Sequence, residues 1–247
     1  MSWLIDAVRP ARALGFGALA TLAAGGMAAC GSSTAVTPTT TLVGVMADSV
    51  ENGVLTMTVA TGSLVTAPSS WGVKTLYAAT VVDVTGTLAI QGGATVALTG
   101  TYNSGTHVIE AAGGGYTFTG TVAGNALSGT FTNPDSVTGG FTSKAGSSTS
   151  VVAYCGAWTD DSYHTGPWNV TTDATDKTVT GVAADPHVSI VASITGTISG
   201  DSLSGSVSSS DGHHIGWLMI LSGTDLTGTY TDSTSVSSGG LTGSKCS

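Results

Sequence analysis

The chain has 247 residues, with 36 Gly, only six Lys and Arg together, and a formal net charge of −9 at pH 7. Phosphate recognition depends on Arg and Lys, so this composition argues against nucleic acid as a partner. Mean hydropathy is +0.32, and apolar residues alternate regularly with polar ones. This pattern favours a packed β fold over disorder.

Residues 1–29 are predicted to be a signal peptide. Arg9 and Arg12 precede an Ala-, Gly- and Leu-rich run from residue 13 to residue 29, and Cys30 follows directly. A basic start, a short apolar segment and small residues before a cleavage point are the features of a secretory signal. The run is too short and too rich in small residues for a membrane span.

The end of this segment, Met27-Ala28-Ala29-Cys30-Gly31, resembles the lipobox of bacterial lipoproteins, with Met where Leu is commoner. The resemblance implies cleavage before Cys30 and lipidation of that residue, which then anchors the protein to the membrane. Gly31 after the cysteine is compatible with sorting to the outer membrane. The alternative is an ordinary secreted protein that has a cysteine at this point.

Residues 30–41 are Ser- and Thr-rich, uncharged and contain Pro38. Such a composition is typical of a flexible tether. The prediction is therefore a domain held away from the membrane by about a dozen residues.

Beyond the tether, a five-residue unit recurs: an apolar residue, Thr or Ser, Gly, Thr or Ser, and a second apolar residue. Side chains alternate between the two faces of a strand, so each unit places its apolar residues and Gly on one face and two hydroxyls on the other. The unit predicts an all-β protein. Its copies start at Val84, Leu98, Phe118, Leu127, Ile194, Leu203 and Leu226.

Pairs of these units predict hairpins. Residues 118–131 and 194–207 each have a central Gly-Asn or Gly-Asp, which suits a two-residue turn with Gly at positive φ. A third hairpin turns at Gly223-Thr224. The predicted partners are Phe118–Phe131, Gly120–Gly129, Val122–Leu127, Ile194–Val207, Gly196–Gly205, Ile198–Leu203, Trp217–Tyr230, Met219–Gly228 and Leu221–Leu226.

The chain contains an internal repeat of about 100 residues. Residues 127–144 read LSGTFTNPDSVTGGFTSK and residues 226–245 read LTGTYTDSTSVSSGGLTGSK. We therefore expect two tandem antiparallel β-barrels or β-sandwiches of the up-and-down kind, at 42–147 and 148–247. The first begins with a hairpin whose predicted turn is Glu51-Asn52-Gly53, followed by a long loop from residue 61 to residue 74.

The cysteines support an exported protein. If Cys30 is lipidated, Cys155 and Cys246 remain as a pair in an oxidising compartment. Their disulfide would join the first and last strands of the second repeat, which are neighbours when an up-and-down sheet closes into a barrel. Two free thiols are the alternative.

The start of the second repeat, YCGAWTDDSYHTGPWNV over residues 154–170, resembles the opening of avidin-type barrels. There too a Gly-x-Trp first strand leads through a loop into the second strand. The resemblance implies an up-and-down barrel architecture and carries over no set of ligand-binding residues.

No nucleophile elbow, P-loop, zinc-protease motif or EF-hand pattern is present, so we predict no enzyme activity, no cofactor and no metal. His213 and His214 are adjacent and would point to opposite faces of a strand, which disfavours chelation. Trp158, Trp168 and Trp217 have two interpretations. All three fill the core, or Trp158 and Trp168 surround the mouth of a ligand-binding barrel together with Tyr163 and His164.

The leading functional prediction is a non-enzymatic, lipid-anchored protein of the bacterial envelope, placed at the outer membrane. It would act as a structural or surface-interaction module with an envelope protein or a glycan as partner. The alternative is a β-barrel that binds a small molecule or saccharide in an aromatic pocket of the second repeat. An exported hydrolase and a transmembrane barrel are weaker alternatives.

Overall fold

The computed structural model describes residues 39–60, 81–147, 149–188 and 190–246. The predicted signal peptide, Cys30, most of the predicted tether and the predicted loop at 61–74 lie outside these residues. The first described strand begins at Thr39, so its first three residues fall within the range predicted for the tether.

Two closed eight-stranded antiparallel barrels account for nearly all of the described residues. In each barrel every strand pairs with the next one in the chain, and the first strand pairs with the last. The all-β prediction of two tandem up-and-down units is confirmed, with barrels as the form. Within the described ranges, no helix is long and apolar enough to cross a membrane.

Barrel 1 consists of β1 (Thr39–Ala47), β2 (Asn52–Ala60), β3 (Val81–Ile90), β4 (Thr95–Asn103), β5 (Val108–Gly113), β6 (Tyr116–Ala123), β7 (Ala126–Thr132) and β8 (Thr138–Ala145). Barrel 2 consists of β9 (Val151–Asp160), β10 (Thr165–Asp173), β11 (Thr178–Asp185), β12 (Ile190–Ser199), β13 (Ser202–Ser208), β14 (His214–Ser222), β15 (Asp225–Asp232) and β16 (Ser237–Lys245).

The register of all three predicted hairpins is confirmed. Phe118 pairs with Phe131, Ile194 with Val207, and the third hairpin likewise has its predicted partners. The turn glycines have positive φ, for example +62° at Gly124. These turns form where expected because only Gly adopts this backbone geometry without steric cost.

The turn predicted at Glu51-Asn52-Gly53 is wrong. β1 ends at Ala47 and β2 begins at Asn52, so Asn52 and Gly53 are strand residues that pair with β1. The turn instead starts at Asp48, whose Oδ1 accepts hydrogen bonds from the backbone N–H groups of Val50 and Glu51 at 2.7 and 2.8 Å. The aspartate side chain therefore determines the position of this turn.

Glycines on the inner faces create troughs that aromatic side chains occupy. A Cβ added at Gly120 would lie 2.7 Å from Phe141 Cζ, and one added at Gly196 would lie 2.5 Å from Trp217 Cζ2. These rings could not lie where they do if either glycine had a side chain. The Thr-Gly-Thr unit thus supplies outward hydroxyls and inward space for rings.

The barrels pack side by side within one compact unit that spans Thr37–Ser247. The outer face of β1, with Val45 and Ala47, packs against small residues of barrel 2 such as Ala184. Buried polar contacts fix this interface: Asn169 Nδ2 donates to the Met46 carbonyl at 2.7 Å. β1 is buried on both faces, because one face lines barrel 1 and the other covers barrel 2.

A lysine also bridges the barrels. Lys144 Nζ of β8 lies 2.9 Å from Asp173 Oδ2 and 2.7 Å from Asp176 Oδ2. Burial acts to lower the pKa of Lys144, but the hydrogen bonds and charges of the two carboxylates outweigh it and the pKa is raised. This ion pair is largely shielded from water on the Lys144–Asp173 side, so loss of either partner would leave a buried charge.

The predicted disulfide is present. Cys155 of β9 is bonded to Cys246, directly after β16, with a Cα–Cα distance of 5.2 Å. The backbone N–H of Cys246 also donates to the Ala153 carbonyl at 3.0 Å. The bridge therefore joins the first and last strands of barrel 2 at the seam that closes it.

Candidate functional site

Barrel 2 contains a cavity of about 350 Å³ at one end of its interior. The end is the one formed by the β9–β10, β11–β12, β13–β14 and β15–β16 connections. Inward-facing side chains form its walls, and the connections form its rim. The lining residues include Trp158, Trp168, Ala192, Ile194, Val207, Ile215, Trp217, Met219, Tyr230 and Leu241, with Asp160, Asp185, Asp211, His213 and Asp232 toward the rim.

Trp158 forms one wall in a fixed orientation. Its Nε1–H donates to the Ala184 carbonyl at 3.0 Å, across the strand that separates β9 from β11. The glycine of that strand makes this crossing feasible, because a Cβ at Gly166 would lie 2.6 Å from Trp158 Nε1. Tyr230 meets the same indole edge to face, with ring centroids 6.5 Å apart at 86°.

Trp168 and Trp217 form the deeper wall. Trp168 is 2% exposed and Trp217 is 6% exposed. Both indole Nε1–H groups are buried and have no hydrogen-bond acceptor among the described residues. Most buried polar groups in proteins have a partner, so two unpartnered donors beside one cavity are unusual.

The rim is acidic. Asp160, Asp185, Asp211 and Asp232 lie around the opening, together with His213. His213 bridges two of them: its Nδ1 contacts Asp232 Oδ2, and its Nε2 lies 3.6 Å from Asp211 Oδ2. The rim thus has four carboxylates and one imidazole.

These contacts shift the titration of the rim. The hydrogen bond with Asp232 raises the pKa of His213 above its usual value, although partial burial acts against this. Burial alone would raise the pKa of Asp232, but hydrogen bonds from Ser235, His213 and the backbone lower it well below its usual range. Burial, and then the charges of nearby aspartates including Asp160 and Asp185, raise the pKa of Tyr230 to about 12.

The two remaining rim carboxylates are held by turns. The backbone N–H groups of Ser162 and His164 donate to Asp160 Oδ1, both at 2.8 Å. The backbone N–H of His187 donates to Asp185 Oδ1 at 2.8 Å. Both carboxylates are therefore oriented by the backbone.

The residues predicted from sequence to surround a pocket divide into two groups. Trp158 and Trp168 line the cavity. Tyr163 is 88% exposed at the tip of its turn, with φ of 65°, and lies outside the lining. His164 also lies outside it, with Nδ1 3.0 Å from Asp160 Oδ2 and its ring centroid 4.4 Å from that of His187.

Sequence reasoning did not include Trp217, Tyr230, His213 and Asp232 in the pocket. A usable signal was present, because the predicted third hairpin already placed Trp217 opposite Tyr230 on the inner face. The two adjacent histidines separate as expected, with His213 at the cavity and His214 exposed in β14. The described residues contain no group of three or more His, Cys, Asp or Glu that could hold a metal ion.

No protein-family model and no curated protein matches the chain. Solved structures with distant similarity include HpuA from Kingella denitrificans in complex with human haemoglobin, at 11% identity and a TM-score of 0.33, covering 69% of this chain and 85% of that chain. Another is the Burkholderia oklahomensis agglutinin, at 13% identity and a TM-score of 0.22, covering 66% and 79%. Likenesses this distant support no conclusion about function.

Proposed function

We propose that the chain is a non-enzymatic, lipid-anchored protein of the bacterial envelope whose second barrel binds a small molecule. The observation that carries the binding proposal is the cavity itself, an aromatic-lined space inside a closed barrel, with two buried and unpartnered indole N–H groups in its wall. A buried donor without an acceptor costs about 1–3 kcal/mol, so these two indoles are not explained by stability alone.

The form of the cavity supports the same function. Its volume of about 350 Å³ lies within the range of small-molecule sites, which are mostly apolar with a few polar groups. Trp158, Tyr230 and the deeper indoles offer flat apolar surfaces, and the rim supplies the polar groups. The other function predicted from sequence, a structural or surface-interaction module, has no comparable single observation behind it.

Tryptophan fluorescence tests the binding proposal directly. The chain has five tryptophans, of which one lies in the predicted signal peptide. Three of the remaining four line the cavity. Ligands of barrel 2, from a library of small aromatics, amines and saccharides, are expected to shift or quench this emission in a saturable way.

A cavity-filling variant supplies the control. Ala192 is buried on the inner face of β12 and lines the cavity, so Ala192→Phe should fill it and abolish the saturable change. Ala97→Phe adds the same ring on the exposed face of β4 and should leave binding unchanged. Binding that survives Ala192→Phe in a folded protein would contradict the proposed site.

The envelope location rests on the lipobox-like sequence that ends at Cys30. Mass spectrometry of the protein from the membrane fraction of its native host should find a chain that begins at Cys30 and carries acyl groups. Cys30→Ser should release the protein to the soluble fraction. An unlipidated wild-type chain in the soluble fraction would contradict the anchor and leave the binding proposal intact.

A further inference from the structure

We infer that the ligand of barrel 2 is a compact organic cation, with a protonated amine or quaternary ammonium group joined to an apolar body. This inference rests on the proposed binding function of the cavity. It names the charge of the ligand from the distribution of charged and aromatic groups around that site.

Apart from His213, which is paired with Asp232 and Asp211, the charged side chains at the mouth are all acidic. Asp160, Asp185, Asp211 and Asp232 all line the opening, and the residues that line the cavity include no Lys or Arg. Two described lysines of barrel 2, Lys177 and Lys245, lie in the β10–β11 turn and at the end of β16, which belong to the opposite end of the barrel.

The remaining described lysine does not neutralise the mouth either. Lys144 lies between the barrels and is bound to Asp173 and Asp176. Several carboxylates around a partly enclosed opening concentrate negative potential there, which attracts cations and repels anions. An anionic ligand would lose its hydration beside four carboxylates and gain no Lys or Arg partner, and His213 is already bound to Asp232 and Asp211.

The rim carboxylates differ in their partners. Asp232 and Asp211 share His213, and Asp160 lies beside His164. Asp185 accepts a backbone hydrogen bond, and no cationic side chain of the described residues lies within ion-pair distance of it. Asp185 is thus the rim carboxylate best placed to bind the charge of an incoming cation.

The walls suit the same ligand. Trp158 and Tyr230 meet edge to face directly below the rim, and Trp168 and Trp217 lie deeper. Aromatic faces attract organic cations through the ring quadrupole, and rings grouped around a pocket are a common site for ammonium groups. A neutral sugar could stack on these rings and donate hydroxyl hydrogen bonds to Asp185, but it would not neutralise the charge of that carboxylate.

Three ligands that differ mainly in charge test whether the cavity prefers a cation. We would titrate the protein calorimetrically with 2-phenylethylamine, 2-phenylethanol and 3-phenylpropanoate, which share a phenyl group and differ in charge. The amine should bind roughly tenfold more tightly than the alcohol, as one cation–π contact and one ion pair allow. The carboxylate should bind most weakly.

A pair of variants assigns the charge to Asp185. Asp185→Asn keeps the acceptor oxygen for the His187 N–H and removes the charge, so amine affinity should fall toward that of the alcohol while alcohol affinity stays constant. Asp201→Asn makes the same charge change at an exposed turn at the opposite end of barrel 2. It should alter neither the amine affinity nor the alcohol affinity.

The outcomes separate the two proposals. Equal binding of amine and alcohol, both lost in Ala192→Phe, would overturn the organic-cation inference and keep the proposed binding function. An amine preference that is unchanged in Asp185→Asn would also overturn the inference as stated. Failure of every compound, in this series and in the wider library, would overturn both.

Discussion

The two barrels share a register and differ in what fills them. Met46 of barrel 1 pairs with Phe141 and Gly53, whereas Trp158 of barrel 2 pairs with Leu241 and Gly166. The same strand pairings make further inner positions of the two barrels equivalent to each other. These are Leu55 with Trp168, Tyr116 with Ile215, Phe118 with Trp217, Gly120 with Met219, and Phe131 with Tyr230.

In barrel 1 the aromatic rings contact one another. Phe118 packs against Phe131 and Phe141, with ring centroids 5.5 and 5.4 Å apart. Phe141 reaches over Gly120, a position that Met219 occupies in barrel 2. In barrel 2 the residue equivalent to Phe141 is the smaller Leu241, and the indoles line an open space.

The equivalent ends of the two barrels also differ, because side-chain hydrogen bonds span the end of barrel 1. In barrel 1, Tyr116 donates its hydroxyl to Glu51 Oε2 at 2.8 Å, and Asn133 donates to Asp48 Oδ2 at 3.1 Å. In barrel 2 the place of Tyr116 is taken by Ile215, which has no hydroxyl to donate across the end. One strand framework thus supports two different interiors, depending on a few inward side chains.

The largest expected difference is in the cost of removing an equivalent ring. Phe118→Ala should lower the free energy of unfolding by about 3–5 kcal/mol, because the ring is enclosed on all sides. Trp217→Ala should cost roughly half as much, because part of its ring already faces the cavity. Urea unfolding followed by circular dichroism measures both.

The next largest difference in stability is expected for the lysines at the ends of the two repeats. Lys144 and Lys245 close the matching sequence segments, but Lys144 is buried between the barrels and Lys245 is exposed. Lys144→Ala should lower the free energy of unfolding by about 3 kcal/mol, because it leaves the buried Asp173 carboxylate without its cation. Lys245→Ala should lower it by less than about 0.5 kcal/mol. Equal thermal shifts for the two variants would show that the Lys144 bridge contributes little.

The smallest expected effect is a pH dependence that belongs to barrel 2. Because the pKa of His213 is raised above its usual 6.5, its contribution to stability is complete below that pH and disappears as the pH rises through the folded-state pKa. The melting temperature of the wild type should therefore exceed that of His213→Gln in acid and converge with it in base. The corresponding Asn133–Asp48 contact of barrel 1 has no histidine.

Thermal melts of both proteins across the neutral range provide the check. A constant difference at every pH would show that His213 acts through packing alone. A difference that widens toward high pH would contradict the sign of the pKa shift.

Much of the fold could be predicted from local sequence. Turn glycines such as Gly124 and Gly200 mark the hairpins, and the apolar–Gly–apolar rows allow only one register that buries every apolar side chain. The Cys155–Cys246 bridge followed from barrel closure. The predicted position of the first turn is wrong because Asn-Gly at residues 52–53 is a strong turn signal, and it concealed the local signal of Asp48, whose side chain accepts from the backbone two and three residues ahead.

The cavity was harder to predict than the strands. A cavity is a volume left over by all inward side chains, so it depends on which rings face each other across the barrel. Trp158 and Trp168 could be found because they lie in the Gly-x-Trp strand and in the strand after it, but Trp217 and Asp232 are about 60 residues away in sequence. Tyr163 and His164 were included because they lie in the same loop, where their turn directs them away from the cavity lining.

The most direct test of the central claim is the nuclear magnetic resonance spectrum of the tryptophan indole N–H groups during titration with 2-phenylethylamine. The resonances are assigned through single Trp→Phe variants. We predict that the resonances of Trp168 and Trp217 shift strongly, because their rings line the cavity that the ligand enters. The absence of a shift in both resonances, at a concentration where calorimetry detects binding, would contradict a ligand site inside barrel 2.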